Sequence, residues 1–384
     1  MTVYDDLVGQ RPVIEQLEAA AQAGAATLAG QTGGGMTHAW LFTGPPGSGR
    51  SVAARAFAAA LLCPDLGCGH CASCHQVLSG THADIEVVRP AGLSYGVRET
   101  RQLVLRAASS PTGGRWRIVL FEDADRSTEQ AANALLKAIE EPPSRTVWLL
   151  CAPSPDDLVV TVRSRCRLVT LRTPPADAVA DVLVRRDGIE PGVAADAARA
   201  AQGHIGRARR LATDDEARRR RADVLGMPGR LTGLGPAIEA AETLVRAAEA
   251  EAKASSAERD AGETTALRQA LGESAKGRMP RGTAGALKEL EDRQKSRATR
   301  MKRDALDRAL LDLASYYRDL LVVQLGAGVE LVNADRSREL RSANGTPEAT
   351  LQCLEAIMTC RERLEANVNP QLAVEAMAMA LRTG

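Results

Sequence analysis

The chain has 384 residues, of which 45% are hydrophobic, 25% are charged and only 3% are aromatic. This length accommodates two or three domains, each large enough for its own core. The formal net charge of +1 excludes a global field that would draw the chain to DNA or to a membrane surface. The sequence has no signal-peptide pattern and no run of about eighteen apolar residues, so we expect a cytoplasmic protein with no membrane contact.

The first 172 residues alternate strand-like and helix-like segments. Three apolar runs predict buried strands: His38–Phe42, Trp116–Phe121 and Val147–Leu150. Two further stretches predict helices: Ser51–Leu62 and Gln130–Glu141. Because strands that alternate with helices form mostly parallel sheets, we expect residues 1–172 to fold as an α/β domain with helices on both faces of the sheet.

A glycine-rich loop follows the first predicted strand and precedes the first predicted helix. It consists of Gly44, Pro45, Pro46, Gly47, Ser48, Gly49, Arg50 and Ser51. In such a loop the backbone N–H groups close on a polyphosphate, helped by the positive end of the next helix, and Ser51 is placed to hold Mg²⁺. Arg50 stands where a lysine is usual, and its planar fork is not equivalent to a compact ammonium group. A glycine-rich turn that binds no nucleotide is the alternative.

The second predicted strand ends in two acids, Glu122 and Asp123. Motor ATPases with this loop have the opposite order, in which Asp organises Mg²⁺ and Glu polarises the attacking water. Because catalytic positioning is sensitive to shifts of about 1 Å, a base shortened by one methylene matters. Together with Arg50 this gives the site two defects, so we expect weak or absent hydrolysis. Whether ATP or ADP binds there with Mg²⁺ is left open.

Four of the eight cysteines form a tight cluster: Cys63, Cys68, Cys71 and Cys74. In a chain without an export signal, such a cluster favours a metal over disulfides. Four thiolates complete a tetrahedral Zn²⁺ site and leave no position for water, so the zinc would be structural and would hold a module at residues 63–75. Free thiols are the alternative. The other cysteines are interpreted as buried apolar residues: Cys151, Cys166, Cys353 and Cys360.

The pattern after residue 172 is helical. We expect a small helical lid domain over residues 173–228 and an all-helical collar domain over residues 229–384. Within the collar, residues 247–304 are rich in Ala, Glu, Lys and Arg. This composition indicates either two solvated helices in an antiparallel hairpin or a partly disordered linker. Basic runs at Lys276–Arg303 and Arg218–Arg221 are interpreted as solvated faces rather than as DNA-binding sites.

Several motifs of the first 172 residues occur together. They are Tyr4–Gln10, the cysteine cluster followed by Thr81–Asp84, Asn133–Pro143, and Ser164-Arg165-Cys166. This combination resembles the AAA+ clamp-loader subunits of bacterial DNA polymerase III. The altered loop and acid pair are similar to the non-motor delta-prime type, because the motor gamma and tau types keep the lysine and the Asp-Glu pair. In the lid segment, Gly206 stands where motor relatives carry an arginine.

The resemblance implies that Arg165 is an arginine finger, which reaches the ATP of an adjacent motor subunit and stabilises charge on the transferring phosphoryl group. It also implies a hetero-pentameric ring with gamma/tau and delta subunits, which loads the sliding clamp onto primer-template DNA. A structural salt bridge is the alternative role for Arg165. Two other functions stay open, namely an active motor ATPase that tolerates the altered residues and a zinc-dependent nucleic-acid adaptor.

Overall fold

The computed structural model describes residues 2–31, 34–90, 92–113, 115–272 and 283–383. The chain divides into two compact units. The first unit consists of Met1–Pro90 and Ser94–Thr213, and the second consists of Ala91–Leu93 and Asp214–Gly384.

The first unit contains a five-stranded sheet formed by β1 (Ala39–Thr43), β2 (Ile85–Val88), β3 (Arg117–Phe121), β4 (Thr146–Ala152) and β5 (Arg167–Thr170). Its helices are α1 (Arg11–Leu28), α2 (Arg50–Leu62), α3 (Ala72–Ser79), α4 (Val97–Ala107), α5 (Glu129–Glu140), α6 (Val160–Arg163), α7 (Ala176–Asp187), α8 (Pro191–Ala201) and α9 (Ile205–Thr213). The strands lie in the order β2-β3-β4-β1-β5, and every neighbouring pair is parallel.

Two apolar cores cover the two faces of this sheet. Side chains of α1 and α2 pack on one face, where α2 is buried from Ala56 to Leu62. Side chains of α4, α5 and α6 pack on the other face, around Trp148 and Phe121. Every residue of β1 and β4 is buried, and these central strands are apolar except for one threonine at one end of each. The expected α/β domain with a parallel sheet is therefore confirmed.

The two edge strands differ from the sequence-based expectation, which included neither. β2 is only partly buried, and β5 exposes three of its four residues, because each has a neighbour on one side only. Their short and mixed sequences, Ile-Glu-Val-Val and Arg-Leu-Val-Thr, lack the apolar run that marks β1, β3 and β4. Pairing with β3 and β1 respectively supplies the order that local sequence does not.

Among the residues that the structure describes, every regular element of the second unit is a helix. Its helices are α10 (Asp215–Leu225), α11 (Leu234–Ala270), α12 (Ala284–Gln324), α13 (Ser337–Ser342), α14 (Pro347–Glu365) and α15 (Pro370–Thr383). The long helices α11 and α12 pack with α14 and α15 around one core that includes Leu306, Leu310, Ile357 and Val374. The first unit keeps α7 to α9, whereas α10 belongs to the second, so the limits of the lid and collar domains stay predictions.

A buried polar network fixes the segment that follows α12. The carboxylate of Asp319 is fully buried and accepts hydrogen bonds from the backbone N–H groups of Val332 and Asn333, at 3.1 and 2.6 Å. The side-chain amide of Asn333 also donates to Asp319, at 2.9 Å, and its carbonyl oxygen accepts from Arg221 of α10. Since a buried carboxylate without partners is costly, these bonds hold the segment in one position.

Residues 247–304 include the distal halves of α11 and α12, which pair in antiparallel fashion. The Nη1 and Nη2 atoms of Arg297 donate to the carboxylate of Glu263, at 3.0 and 2.6 Å, and Gln294 donates to the backbone oxygen of Asp260, at 3.0 Å. Polar pairs replace the large apolar side chains that this stretch lacks. The interrupting run Lys276–Gly282 lies outside the described residues. Among the helices that are described, none is both long and apolar enough to cross a bilayer.

Candidate functional site

The glycine-rich loop joins the end of β1 to the start of α2, and Gln10 fastens it to the end of β5. The side-chain amide nitrogen of Gln10 donates to the backbone oxygens of Ser48 and Arg172, and its oxygen accepts from the backbone N–H of Arg172. Gln10 is buried. From the sequence, Tyr4–Gln10 is identified only as part of the family resemblance. In the structure, Gln10 positions the loop by its hydrogen bonds with Ser48 and Arg172.

The middle of the loop lies against the segment before α9. A Cβ atom added to Gly47 would be 2.6 Å from the Cβ of His204, and the φ angle of Gly47 is +89°. Only glycine fits this close approach. The ring of His204 also accepts a hydrogen bond from the backbone N–H of Arg207, at 3.3 Å. The predicted phosphate loop is therefore closely packed on the side that faces His204.

Arg50, at the lysine position, bonds to its own loop. Its Nη1 atom donates to the backbone oxygen of Gly44, at 2.9 Å. A lysine that binds phosphate must extend toward the nucleotide, whereas this guanidinium is partly satisfied by the loop itself. The contact follows from the greater length of arginine and its several donors.

Glu122, the first acid after β3, lies between two guanidinium groups. Arg89 contacts both of its carboxylate oxygens, at 2.5 and 3.1 Å, and Arg55 of α2 contacts Oε1 at 3.0 Å. Burial alone would raise the pKa of Glu122, but the hydrogen bonds and charge of Arg89, and then those of Arg55, lower it. The carboxylate is therefore ionised and its charge is compensated by protein cations. Neither arginine was identified from the sequence, where no motif marks them.

Residues of the predicted loop and of the acid pair lie close to the thiol of Cys151, at the end of β4. Burial raises the pKa of this thiol, Glu122 and Asp123 raise it further by their charge, and Arg50 and a hydrogen bond with Ser51 act in the opposite direction. Residues from the carboxyl ends of β3 and β4 and from the start of α2 thus share one environment. This is the edge of a parallel sheet at which ligands usually bind.

Asp123 has a left-handed backbone, with a φ angle of 52°. This conformation is uncommon for a residue other than glycine. Near it, the pKa of Asp125 is raised by burial and by the charge of Asp123, and Asp125 Oδ1 is buried without a hydrogen-bond partner among the described residues. The sequence did not single out Asp125, and its position two residues after Asp123 is the only signal that it offered.

Arg165 lies after α6, and its partners are not residues of the loop. Its Nη1 atom donates to the backbone oxygen of Thr161, at 2.8 Å, and to the hydroxyl of Ser164, at 3.2 Å. Its Nη2 atom is 2.5 Å from Oε1 of Glu140, the last residue of α5. The side chains of Arg165 and Glu140 are 40% and 42% exposed. The guanidinium is therefore accessible from outside the chain.

The four clustered cysteines converge in space at the end of α2 and the start of α3. Their sulfur atoms all lie within 4.8 Å of one another. The Sγ of Cys63 is 3.8 Å from that of Cys68 and 3.7 Å from that of Cys71. Zinc–sulfur bonds of about 2.3 Å in a tetrahedron place sulfur atoms about 3.8 Å apart, whereas a disulfide requires about 2.05 Å. The four cysteines can thus bind a metal ion.

The local backbone brings the four cysteines together and stabilises the thiolate form of Cys63. A Cβ atom on Gly67 would be 2.6 Å from a methyl group of Val3, and the φ angle of Gly67 is +95°, so only glycine fits the turn. Burial would raise the pKa of Cys63, but backbone N–H groups of residues 68, 67 and 65 lower it to about 7. A lowered thiol pKa favours the thiolate that a metal requires. Of the other cysteines, Cys151, Cys353 and Cys360 are buried as expected, and Cys166 is partly exposed.

Known proteins resemble both ends of the chain. Residues 26–175 match a family model described as DNA polymerase III, delta subunit, and residues 300–383 match one described as DNA polymerase III, delta subunit, C terminal. The DNA polymerase III subunit delta' of Pseudomonas aeruginosa is 38% identical over 164 residues, which are 41% of this chain and 50% of that protein. The subunit delta' of Bacillus subtilis is 32% identical over 195 residues, 50% of this chain and 58% of that one.

A gamma/tau subunit of DNA polymerase III from Mycobacterium bovis is 33% identical over 187 residues, which are 47% of this chain and 31% of that protein. The chain therefore spans between 31% and 58% of the length of these three relatives. A solved DNA polymerase III gamma subunit-related protein from Thermotoga maritima aligns with 96% of this chain at 16% identity, with a TM-score of 0.41, which is a loose likeness.

The parallel sheet with its glycine-rich loop, the cysteine cluster and the matches to residues 26–175 and 300–383 all indicate the same family. The chain belongs to the delta-prime and gamma/tau family of DNA polymerase III clamp-loader subunits.

Proposed function

We propose that the chain is a non-motor subunit of the delta-prime type. In this role it supplies Arg165 in trans to the ATP site of an adjacent gamma/tau subunit, and it helps the ring to load the sliding clamp onto primed DNA. The main support for the proposal is that arginine side chains contact both carboxylate oxygens of Glu122. An acid that serves Mg²⁺ must offer free carboxylate oxygens, and those of Glu122 are engaged by Arg55 and Arg89.

The environment of Arg50 supports the same conclusion. Its Nη1 atom bonds to Gly44 within the loop, and the loop packs against His204 at Gly47. A nucleotide that entered would have to displace one contact or the other. We therefore infer that the site binds ATP or ADP with Mg²⁺ only weakly. We also infer that hydrolysis by this chain is weak or absent.

The exposure of Arg165 supports its action on another subunit. The Arg165 side chain is 40% exposed, and its carboxylate partner Glu140 is 42% exposed, so the ion pair between them is weak because water solvates both groups. A phosphoryl group that gains charge in a transition state is a stronger partner. The structural salt bridge and the finger are thus compatible roles of one side chain, the first in the free subunit and the second in the ring.

The remaining parts of the proposal concern assembly. We infer a structural Zn²⁺ held by the four cysteines, a lid at residues 173–228 and a collar at residues 229–384 that joins the gamma/tau and delta subunits in a hetero-pentamer. Contact with the sliding clamp and with primer-template DNA would occur through that assembly, in the cytoplasm. The sulfur distances of 3.7 and 3.8 Å support the zinc assignment.

The test replaces Arg165 in a complex reconstituted with its motor and delta subunits. Arg165→Ala should lower the ATPase rate of the complex by about tenfold or more, with little change in the KM for ATP, because a finger acts mainly on the transition state. Arg163→Ala is the matched control, since Arg163 is 35% exposed and pairs with the exposed Asp156. Unchanged turnover for Arg165→Ala, or equal losses for both variants, would defeat the assignment.

An active motor ATPase is separated from this proposal by the purified chain alone. Steady ATP hydrolysis by the monomer would favour the motor role, and its absence, in a preparation that still assembles with the motor subunits, would favour the non-motor role. Tight DNA binding by the isolated chain that is lost on zinc removal would instead favour an adaptor.

A further inference from the structure

Glu140 is the only carboxylate partner of Arg165 within the described part of the chain. It ends α5, while Arg165 follows α6, so the contact joins two elements that are separate in sequence. The Nη2 atom of Arg165 is 2.5 Å from Glu140 Oε1. Both hydrogens of Nη1 are also engaged, by the backbone oxygen of Thr161 and the hydroxyl of Ser164. The chain thus holds the guanidinium at three points.

This arrangement has two effects on a guanidinium that must act elsewhere. The carboxylate cancels much of the positive charge of Arg165 as long as the two groups are in contact. The same contact limits the directions in which the side chain extends. Because both side chains are about two-fifths exposed, water keeps the ion pair weak, so a competing phosphate can break it.

We propose that Glu140 is a positioning residue, which keeps Arg165 withdrawn and charge-compensated until a triphosphate in the adjoining subunit competes for the guanidinium. This proposal rests on the trans-acting role of Arg165 proposed above. The ATPase rate of the complex then depends on the fraction of time that Arg165 is released from Glu140. Thr161 and Ser164 keep the released side chain near the subunit surface, since their contacts do not require Glu140.

The experiment uses the full chain in a complex reconstituted with its motor and delta subunits, with no DNA present. Glu140→Gln keeps the size of the side chain and removes its charge. We expect kcat for ATP to rise by about twofold to fivefold, the range set by an exposed ion pair, with KM unchanged. Glu141→Gln is the matched control, because Glu141 is the next residue on the same helix end and is exposed. It should leave kcat unchanged.

A double variant separates this idea from the finger assignment. Glu140→Gln combined with Arg165→Ala should have the low rate of Arg165→Ala alone, because Glu140 acts only through Arg165. A lower kcat for Arg165→Ala, together with an unchanged or lower kcat for Glu140→Gln, would support the trans-acting role of Arg165 and contradict its restraint by Glu140. If Arg165→Ala is as fast as wild type, the proposed function itself fails.

Folding does not obscure the outcome. Glu140→Asp retains the charge but shortens the side chain by one methylene, so it should loosen the contact and give a rate between those of wild type and Glu140→Gln. If Glu140→Gln does not assemble, an assembled Glu140→Asp complex with a rate equal to or below wild type would overturn the proposal. Helical content and co-elution with the partner subunits confirm that each variant is intact.

Discussion

Arg89 and Glu122 meet through two contacts, with Nε and Oε2 2.5 Å apart and Nη2 and Oε1 3.1 Å apart. Arg55 adds a third contact to the same carboxylate, at 3.0 Å. Two protein cations thus compensate the charge of the first acid after β3. The side chain of Glu122 is long enough to reach both guanidinium groups, so this acid has a structural role in the first unit.

Loss of the Glu122 charge should destabilise the first unit. Glu122→Gln leaves two guanidinium groups facing a neutral amide in a buried place, and we expect the free energy of unfolding to fall by about 2–3 kcal/mol. Denaturant unfolding of the full chain measures this change. Asp156→Asn is the control, because Asp156 is 85% exposed in its pair with Arg163, and its effect should stay within about 0.5 kcal/mol. Equal effects of the two variants would contradict this account.

Restoring the usual residues of a motor site should not restore turnover. In the variant Arg50→Lys, Glu122→Asp, Asp123→Glu, the guanidinium groups of Arg55 and Arg89 stay near the acid and compete with Mg²⁺ for it. We therefore expect the purified variant to release phosphate from ATP no faster than wild type. A phosphate-release assay with a gamma/tau subunit as positive control measures it. Steady turnover by the variant would show that the two arginines do not block the site.

Removal of one cysteine of the cluster should remove the metal. Cys71 is the N-cap of α3, where its sulfur accepts from the backbone N–H of Cys74, at 3.4 Å. Because serine also caps helices well, Cys71→Ser tests the metal rather than the cap. We expect zinc to fall from about one ion per chain to near zero, and Tm to fall by about 5 °C or more.

Elemental analysis and a thermal melt measure these changes. Cys360→Ala is the control, since this buried cysteine belongs to α14 and should leave the zinc content unchanged. Wild-type protein without zinc after preparation in zinc-containing medium would contradict the assignment.

Acid should weaken the pairing of α11 with α12. Hydrogen bonds from Arg297, together with those from Arg259 and despite burial, lower the pKa of Glu263 from 4.5 to about 2. A carboxylate whose pKa is lowered by folding stabilises the folded state above its ordinary pKa, and this contribution is lost as the pH falls toward the folded value. At neutral pH we expect Glu263→Gln to reduce the free energy of unfolding by about 1 kcal/mol.

That difference between wild type and Glu263→Gln should be constant above about pH 4.5, decrease between pH 4.5 and 2, and disappear below pH 2. Unfolding experiments across this pH range measure it. Glu258→Gln is the control, because Glu258 is exposed and lies on the same helix. A difference that persists unchanged at pH 2 would mean that the Glu263 charge is not the cause.

The parts of the fold that sequence predicts are those with a strong local signal. The central strands are almost wholly apolar because both faces of the sheet are covered. The four clustered cysteines lie within one short segment, so their spacing alone identifies them. The edge strand Arg167–Thr170 carries no such signal, because three of its four residues are exposed. Its order depends on hydrogen bonds with β1, which is distant in sequence.

The candidate site shows the same limit. The loop, the acid pair and Arg165 are marked by sequence motifs, whereas their contact partners are not. Arg89 is 33 residues from Glu122 in sequence. Glu140 ends α5, whereas Arg165 follows α6. Residues of a predicted catalytic motif can be recognised from the sequence by their spacing. Their ion-pair partners cannot, because such a partner needs only an opposite charge and a position close in space.

The long pair of helices in the second unit has a consequence for its evolution. Arg297 with Glu263, and Gln294 with Thr264, set the axial alignment of α12 on α11. Because each residue turns an α-helix by about 100°, deletion of a single residue from either helix would rotate these partners away from each other. Removal of about seven residues from both helices, close to two turns, would keep them facing. The pair α11 and α12 can therefore change length only by matched deletions or insertions of whole turns in both helices.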